Sequence, residues 1–464
     1  MEDFEEKEIK ELVDKFKRMI NSGESNYFDS DDMELIIEEL MRIFDFKYAS
    51  KAIDYAIGLY PSDPFFRILR VKQLILELEL DAAEKELNEI EIMFPPTPEF
   101  YLEKVLLSRM IGSDINTFSL LKKAMDLDAE DPEIHFLLAY EYLKKREIQK
   151  AIKYTTFALS EDELFDEQLF TFSYLFEDNK QYEDAIEFFT AISNKFPLNK
   201  GSWFGLGLAY SWLNDYKSAI DAYGYVLSLD EETSTAHFNI ANSYYELKDF
   251  NQALEHYKQA YEFDNEDYNS VTCIGDCYSI MGQLDEAMDY YHQALVLNPN
   301  HSDAILGIVS ILKQNEKTEE ARLFIEKAFS LNPQSFELLF AVIDYYEDEE
   351  QIQKLKELFE LTIQQIENRV DFYKYFILYC CNNELYDLGI EILESHLDDE
   401  NITFTAPYYL AALYFLNGNI EKGVEYLKNA LLINYDEYSS TFLSIDPLLE
   451  SFSEIKELIE LYKP

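Results

Sequence analysis

Few residues in this chain have the types and spacing to carry chemistry. Cys273 and Cys277 stand four apart, which can place two thiols on one helix face, and Cys380 and Cys381 are adjacent. A structural zinc site needs four ligands at set spacings. No His or Cys stands at ligand spacing beside these thiols, and the 6 histidines show no such spacing. Burial as small apolar side chains is the expected role, with no metal and no cofactor. There is no Gly-x-x-x-x-Gly-Lys phosphate loop, no His-Glu-x-x-His, no Cys-x-x-Cys and no Gly-x-Ser-x-Gly. Carboxylate pairs able to act as acid and base occur everywhere among 91 Asp and Glu, so no single pair stands out.

Any element that positions these residues belongs to a strongly anionic protein. Lys and Arg total 39 against 91 Asp and Glu, so the net charge is 39 − 91 = −52 over 464 residues. A field of that sign repels nucleic acid and anionic membrane surfaces. Disorder is not expected, because 34 Phe and 35 Tyr supply ample surface to bury. The start, Met-Glu-Asp-Phe-Glu-Glu-Lys, lacks a basic segment followed by an apolar run, and no stretch approaches the ~18 apolar residues of a membrane span. Four cysteines are too few and too clustered for a disulfide framework. The expectation is a soluble, non-exported protein in a reducing cytoplasm.

Repetition sets the architecture. The segment Trp203-Phe-Gly-Leu206-Gly207-Leu-Ala-Tyr210, followed by Ala219 and Tyr223, finds the same residue types when shifted by 34 residues. One shift gives His237, Ile240, Ala241, Tyr244, Ala253, Tyr257 and Ala260; the next gives Val271, Ile274, Gly275, Tyr278, Ala287, Tyr291, Ala294 and Pro299. This pattern resembles the tetratricopeptide repeat, whose Trp-like start, Leu-Gly, Tyr, Ala, Phe, Ala and closing Pro recur at that period.

Extending the register without insertion starts repeats at 30, 64, 98, 132, 166, 200, 234, 268, 302, 336, 370 and 404, so twelve repeats fill residues 30–437. With each repeat numbered from 1, position 20 is Ala49, Ala83, Ala151, Ala185, Ala219, Ala253, Ala287, Ala321, Gly389 or Gly423; only Thr117 and Leu355 depart. No proline falls between positions 5 and 31, whereas Pro61, Pro95, Pro197, Pro299 and Pro333 sit at position 32, and Pro64, Pro98 and Pro132 at position 1. Proline removes a backbone donor, so it punctuates the loops. Positions 4, 7, 8 and 11 then meet positions 20, 24 and 27 of a second helix, with Tyr142, Tyr210, Tyr244, Tyr278, Tyr346 and Tyr414 at position 11. Such a hairpin cannot bury its apolar face alone, so neighbours must stack.

The expected fold is an all-α solenoid in three parts: an N-terminal capping helix at 1–29, the array at 30–437 and capping helices at 438–464. Phe4, Ile9, Leu12, Val13, Phe16, Met19 and Ile20 share one side of the first cap, and Asp446-Pro447 opens a helix at the other end. The resemblance implies a right-handed superhelix whose first helices line a concave groove. At position 20 of repeat 10, Leu355 predicts a wider or bent hairpin, because overpacking costs about 1–3 kcal/mol.

A gapless array leaves no room for a catalytic domain, since chains below ~40 residues rarely fold alone; no enzyme activity is expected. Gly201, Gly205 and Gly207 fall on a helix, where they permit close packing rather than cradling phosphate. Binding remains. A step of one residue turns a helix by ~100°, so positions 2, 5, 9, 12 and 13 form a second face, which the resemblance identifies as the groove lining. Position 5 is Phe136, Phe170, Phe204, Phe238, Phe340 and Tyr408; Tyr140, Tyr174, Asn242, Asp276 and Asp344 stand at position 9. These rings either bind apolar side chains of a partner or wedge between adjacent first helices.

Across these positions 16 residues are acidic and 6 basic, with local clusters at Glu167, Glu177 and Asp178 and at Glu337, Asp344, Glu347 and Asp348 that select basic partner residues. A carboxylate clamp of the kind that some family members use on chaperone tails is disfavoured, because Lys374 at position 5 is followed by Leu378 at position 9, and Asn242 at position 9 is preceded by Phe238 at position 5. Asn239 and Asn242 are candidates to hold a peptide backbone. The leading reading is a protein-interaction scaffold that binds a peptide or helical segment with hydrophobic and basic residues. The alternative is a peptide-responsive regulator.

Overall fold

In a computed structural model the chain is all-α. The residues described are 2–22, 26–112, 116–161, 165–343, 349–366, 369–397, 402, 404–435 and 438–463. Among them every regular element is helical. The chain divides into two compact units, Met1–Ser243 and Tyr244–Pro464. No helix among the described residues is long and apolar enough to cross a membrane.

Within each unit, helices come in pairs joined by the same short turn. The first helix ends, one residue turns left-handed, and the second helix begins at position 17: Phe46, Leu80, Ile148, Tyr182, Tyr216, Phe250, Leu284, Thr318, Tyr386 and Ile420. The left-handed residue recurs at position 15, as Phe44, Leu78, Gly112, Arg146, Lys180, Asn214, Lys248, Gly282, Glu316, Glu384 and Gly418. The reversal closes the first helix, since Phe44 N donates to Met41 O and Asp45 N to Leu40 O, satisfying carbonyls that would otherwise lack donors. Most of these residues are not glycine, so the packed helices hold a conformation that L-residues disfavour by about 1–2 kcal/mol.

Two repeats break the rule, and they are those in which position 20 is not small. In repeat 3 the second helix starts late, at Thr117, where the Asn116 side chain accepts from Ser119 N at 3.1 Å. In repeat 10 it starts early, at Glu349, and residue 350 lies inside the helix instead of forming the turn. The Leu355 side chain lies outside the described residues, and so does the expected widening of its hairpin.

The small side chains do the packing work expected of them. Ala49, Ala83, Ala151, Ala185, Ala219, Ala253, Ala287 and Ala321 are all 0 % exposed, and close approach of two helices at each builds a series of hydrophobic clusters along each unit. In the first unit the helix Glu2–Ser22 buries Val13, Phe16 and Met19, with the Phe16 ring edge-on to Phe28 at 5.9 Å. In the second, Asp446 accepts from Leu448 N at 2.7 Å and starts the short helix Pro447–Ser451; the helix Ser453–Tyr462 then contributes Ile455 and Leu458 to the core.

Candidate binding site

The aromatic ladder of the first unit is mostly a packing device. The Phe136 ring, on the helix Pro132–Lys144, is 5 % exposed and stacks on Phe172 of the next repeat at 4.5 Å and on Phe165, the last residue of its own repeat, at 5.0 Å. Phe204 is buried too, edge-on to Tyr223 at 5.3 Å. Phe136 and Phe204 therefore leave the list of groove-surface rings: each finds a neighbouring ring, and apolar area gains more by pairing than by facing water. Tyr140 is half-buried, and the Arg109 guanidinium lies over its ring at 4.6 Å, tied in turn to the buried Glu141 at 2.8 Å.

Repeat 5 differs from its neighbours. Its first helix is interrupted at Leu169, between Phe165–Gln168 and Phe170–Asp178. Phe170 is 37 % exposed, touching Phe204 edge-on at 5.0 Å, and Tyr174 is 66 % exposed. Glu177 and Asp178 are exposed beside them, while the Glu167 side chain is not among those described. Farther along, Phe238 and Asn242 are half-buried, and the Asn239 amide already donates to Thr235 O at 2.8 Å within its own helix. That bond uses one of the two amide N–H groups of Asn239.

In the second unit Phe340 stacks on Tyr379 of the next first helix at 5.0 Å, with the rings 3° from parallel. Tyr408 is fully buried, and its hydroxyl donates to Asn434 O at 2.6 Å, so it too is core and not groove surface. Asp344, Glu347 and Asp348 lie outside the described residues. Glu337 is exposed and accepts from Ser335 Oγ at 2.8 Å.

Among the expected site residues that are described, Asp276 lines an open pocket of about 360 Å³. It is shared by the helix Tyr268–Ile280, which contributes Asp276, Ser279 and Ile280, and by the helix Ser302–Gln314, which contributes Asp303, Leu306, Gly307 and Ser310; Tyr245 and Tyr291 complete it. Seven of these nine residues occupy positions 2, 5, 9, 12 or 13. Tyr291 arrives from the second helix, Leu284–Leu297, where it is 2 % exposed. Two glycines let it through: a Cβ on Gly275 would lie 2.7 Å from the ring, and one on Gly307 2.5 Å. Its hydroxyl donates to Asp276 Oδ1 at 2.7 Å. Burial raises the Asp276 pKa, the Tyr291 hydrogen bond lowers it, the Asp303 charge raises it and His301 lowers it.

A larger hollow of about 800 Å³ lies against the first helix of the chain, lined by Ile9, Leu12, Leu35, Lys15, Arg18, Glu11 and Asp32. Its charges are of both signs, so it selects no ligand charge.

Tetratricopeptide-repeat family models match residues 201–233, 234–267, 272–301 and 302–335, close to the register that starts repeats at 200, 234, 268 and 302. The chain is a tetratricopeptide-repeat protein. No curated protein matches it. Among solved structures it is similar to MamA from Desulfovibrio magneticus, at 16 % identity over 37 % of this chain and 97 % of that one, with a TM-score of 0.34. It is also similar to a further MamA structure, at 18 % identity over 34 % of this chain and 92 % of that one, TM-score 0.32. A third is YrrB, described as a TPR protein with an unusual peptide-binding site, at 20 % identity over 48 % of this chain and 96 % of that one, TM-score 0.30.

Sequence reasoning on this tetratricopeptide-repeat protein found Asp276 but missed Asp303, Ser279, Ser310, Tyr245 and Tyr291. The first four were within its reach, since all occupy face positions 2, 9 or 12. Tyr291 at position 24 reads as an interhelical filler, and its emergence depends on glycines at position 8 of its own repeat and position 6 of the next. The cysteines behave as packing residues. Burial pushes Cys273, Cys277 and Cys381 up to about 12 and Cys380 upward as well, which leaves thiolate scarce at neutral pH.

Proposed function

We propose that this protein is an interaction scaffold whose first-helix faces bind a peptide or helical segment of a partner with hydrophobic and basic residues. Tetratricopeptide repeats are protein-interaction modules, and stacked hairpins present extended surfaces suited to that task. The observation that carries the finer reading is the pocket of about 360 Å³ in repeats 7–9, which forms where positions 2, 5, 9, 12 and 13 converge. The exposed Phe170 and Tyr174 rings offer apolar contact in the first unit, and aromatic side chains dominate energetics at such contacts.

A peptide-display selection against the whole protein tests the proposal, with each selected peptide re-measured on the double variant Phe170→Ala, Tyr174→Ala. Peptides rich in apolar and basic residues should be recovered, and those docking in the first unit should lose at least about tenfold, roughly 1.4 kcal/mol. Tyr174 is 66 % exposed and Phe170 is partly exposed against Phe204, so the variant should stay folded with a moderately lower melting temperature. Selected peptides that are acidic, or that bind the fully folded variant undiminished while also ignoring changes in the repeat 8–9 pocket, would refute the scaffold faces as the binding surface.

A further inference from the structure

The geometry points to the pocket of repeats 7–9 as a socket for one cationic side chain, a lysine or arginine of the bound segment. The inference rests on the scaffold reading and assigns that site its ligand chemistry.

The pocket has a polar floor and a mixed rim. At the floor the buried Tyr291 hydroxyl holds Asp276 Oδ1 at 2.7 Å, fixing the carboxylate where the two first helices face each other. At the rim stands Asp303, exposed, together with Ser310 and with Ile280, which is 50 % exposed. Asp303 acts on Asp276 by like-charge repulsion, and the cationic influence opposing it is that of His301. Two carboxylates share the space with the hydroxyls of Ser279, Ser310 and Tyr245. An arginine head has five N–H donors and a lysine head three, and neither has an acceptor, so both match a lining of two carboxylates and of hydroxyls that can turn their lone pairs inward. A carboxylate or phosphate meets two like charges there.

The apolar part of the lining selects a side chain over a bare ion. Leu306 and Ile280 belong to the lining, and Lys or Arg lays its methylene stem on such surface while its charged end reaches the polar partners. A volume of about 360 Å³ lies within the ~300–1,000 Å³ range of pockets that hold organic groups. The glycines tie this chemistry to the fold. With any side chain at position 275 or 307 the Tyr291 ring could not pass between the helices, and Asp276 would lose the donor that orients it.

Because a net charge of −52 attracts any cationic peptide, the test must separate the socket from the general field. The probes are a fluorescein-labelled nonapeptide of alanine and leucine with one central arginine, its twin with neutral citrulline there, and spermidine as a free cation. Anisotropy is read on the full chain at physiological salt. The arginine peptide should bind at least tenfold more tightly than its citrulline twin. That advantage should vanish in Asp276→Asn and Asp303→Asn and persist in Asp285→Asn, an exposed carboxylate outside the pocket. Asp303 is exposed, so its variant keeps the test valid if Asp276→Asn fails to fold. Equal binding of the twins, an advantage retained in Asp303→Asn, or the same loss in Asp285→Asn overturns the socket, while leaving the scaffold reading to the Phe170 and Tyr174 variant. Spermidine displacing the peptide more effectively than unlabelled arginine peptide also overturns it, since the socket would then serve a free polyamine.

Discussion

The first-helix face of repeats 4–6 and that of repeats 8 and 9 occupy equivalent positions and are built in opposite ways. In the first, rings at position 5 fill the gap to the next helix, with Phe136 stacked on Phe172 at 4.5 Å and Phe170 edge-on to Phe204 at 5.0 Å. In the second, position 5 is the buried Thr272 and the half-buried Leu306, glycines stand at 275 and 307, and a tyrosine from the second helix fills the gap instead. One solution consumes aromatic surface in packing, and the other leaves carboxylates and hydroxyls around a cavity. A repeat position therefore does not by itself define surface; what the adjacent helix offers decides whether a ring is core or contact.

The carboxylates differ in the same way. Asp276 has a donor in Tyr291. Glu103, on the first helix of repeat 3, has Oε2 sealed from solvent without a hydrogen-bond partner. Burial pushes Glu103 from the ordinary 4.5 up to about 7, with Lys72 opposing the rise and Glu133 adding to it.

The largest expected effect breaks the packing side of this contrast. Phe136→Ala should cost about 3–5 kcal/mol of stability in urea unfolding, as a buried ring sandwiched by two others; a loss near zero would return that ring to the surface. Next comes Glu103→Gln, which sharpens the contrast between carboxylates. A carboxyl whose folded pKa is raised supports the fold fully below pH 4.5 and loses that support as pH climbs through about 7. The variant should accordingly be more stable than the parent at pH 8, by up to about 3 kcal/mol, and equal to it at pH 4. A difference independent of pH would show that Glu103 is hydrated.

Gly307→Ala addresses the second face. Its Cβ would lie 2.5 Å from Tyr291 Cζ, and forcing the ring aside should cost about 1–3 kcal/mol, seen as a lower melting temperature. Gly224→Ala, where a Cβ meets nothing within 4 Å, should show no such loss. The smallest effect belongs to Tyr174→Ala, within about 0.5 kcal/mol because the ring is 66 % exposed. A larger loss would place Tyr174 with Phe136 as a wedge.

Much of the architecture was legible from residue types. Alanine at position 20 and proline at position 32 read directly as close helix contact and as loop, because their steric demands are strict. The interhelical turn was not legible: Phe44, Arg146, Asn214 and Glu384 share no chemistry, yet all adopt φ between 57° and 60°. Packing of the flanking helices, and not residue preference, imposes that conformation. The departures at Thr117 and Leu355 marked the two repeats whose second helices start out of register, though neither residue showed in which direction the start would move.

The sequence alone determined the all-α repeat, its 34-residue period and the face on which binding residues had to lie, because helical geometry converts spacing into direction without reference to neighbours. Only the tertiary structure decided which residues on that face are available. Phe136 and Phe170 are the same residue type at the same position, yet one is 5 % and the other 37 % exposed, because each ring's surroundings are supplied by other helices, about 30–36 residues away in sequence. The Asp276 pocket has the same origin. It exists because glycines on two different helices admit one tyrosine, a coincidence of three elements that no single stretch of chain records.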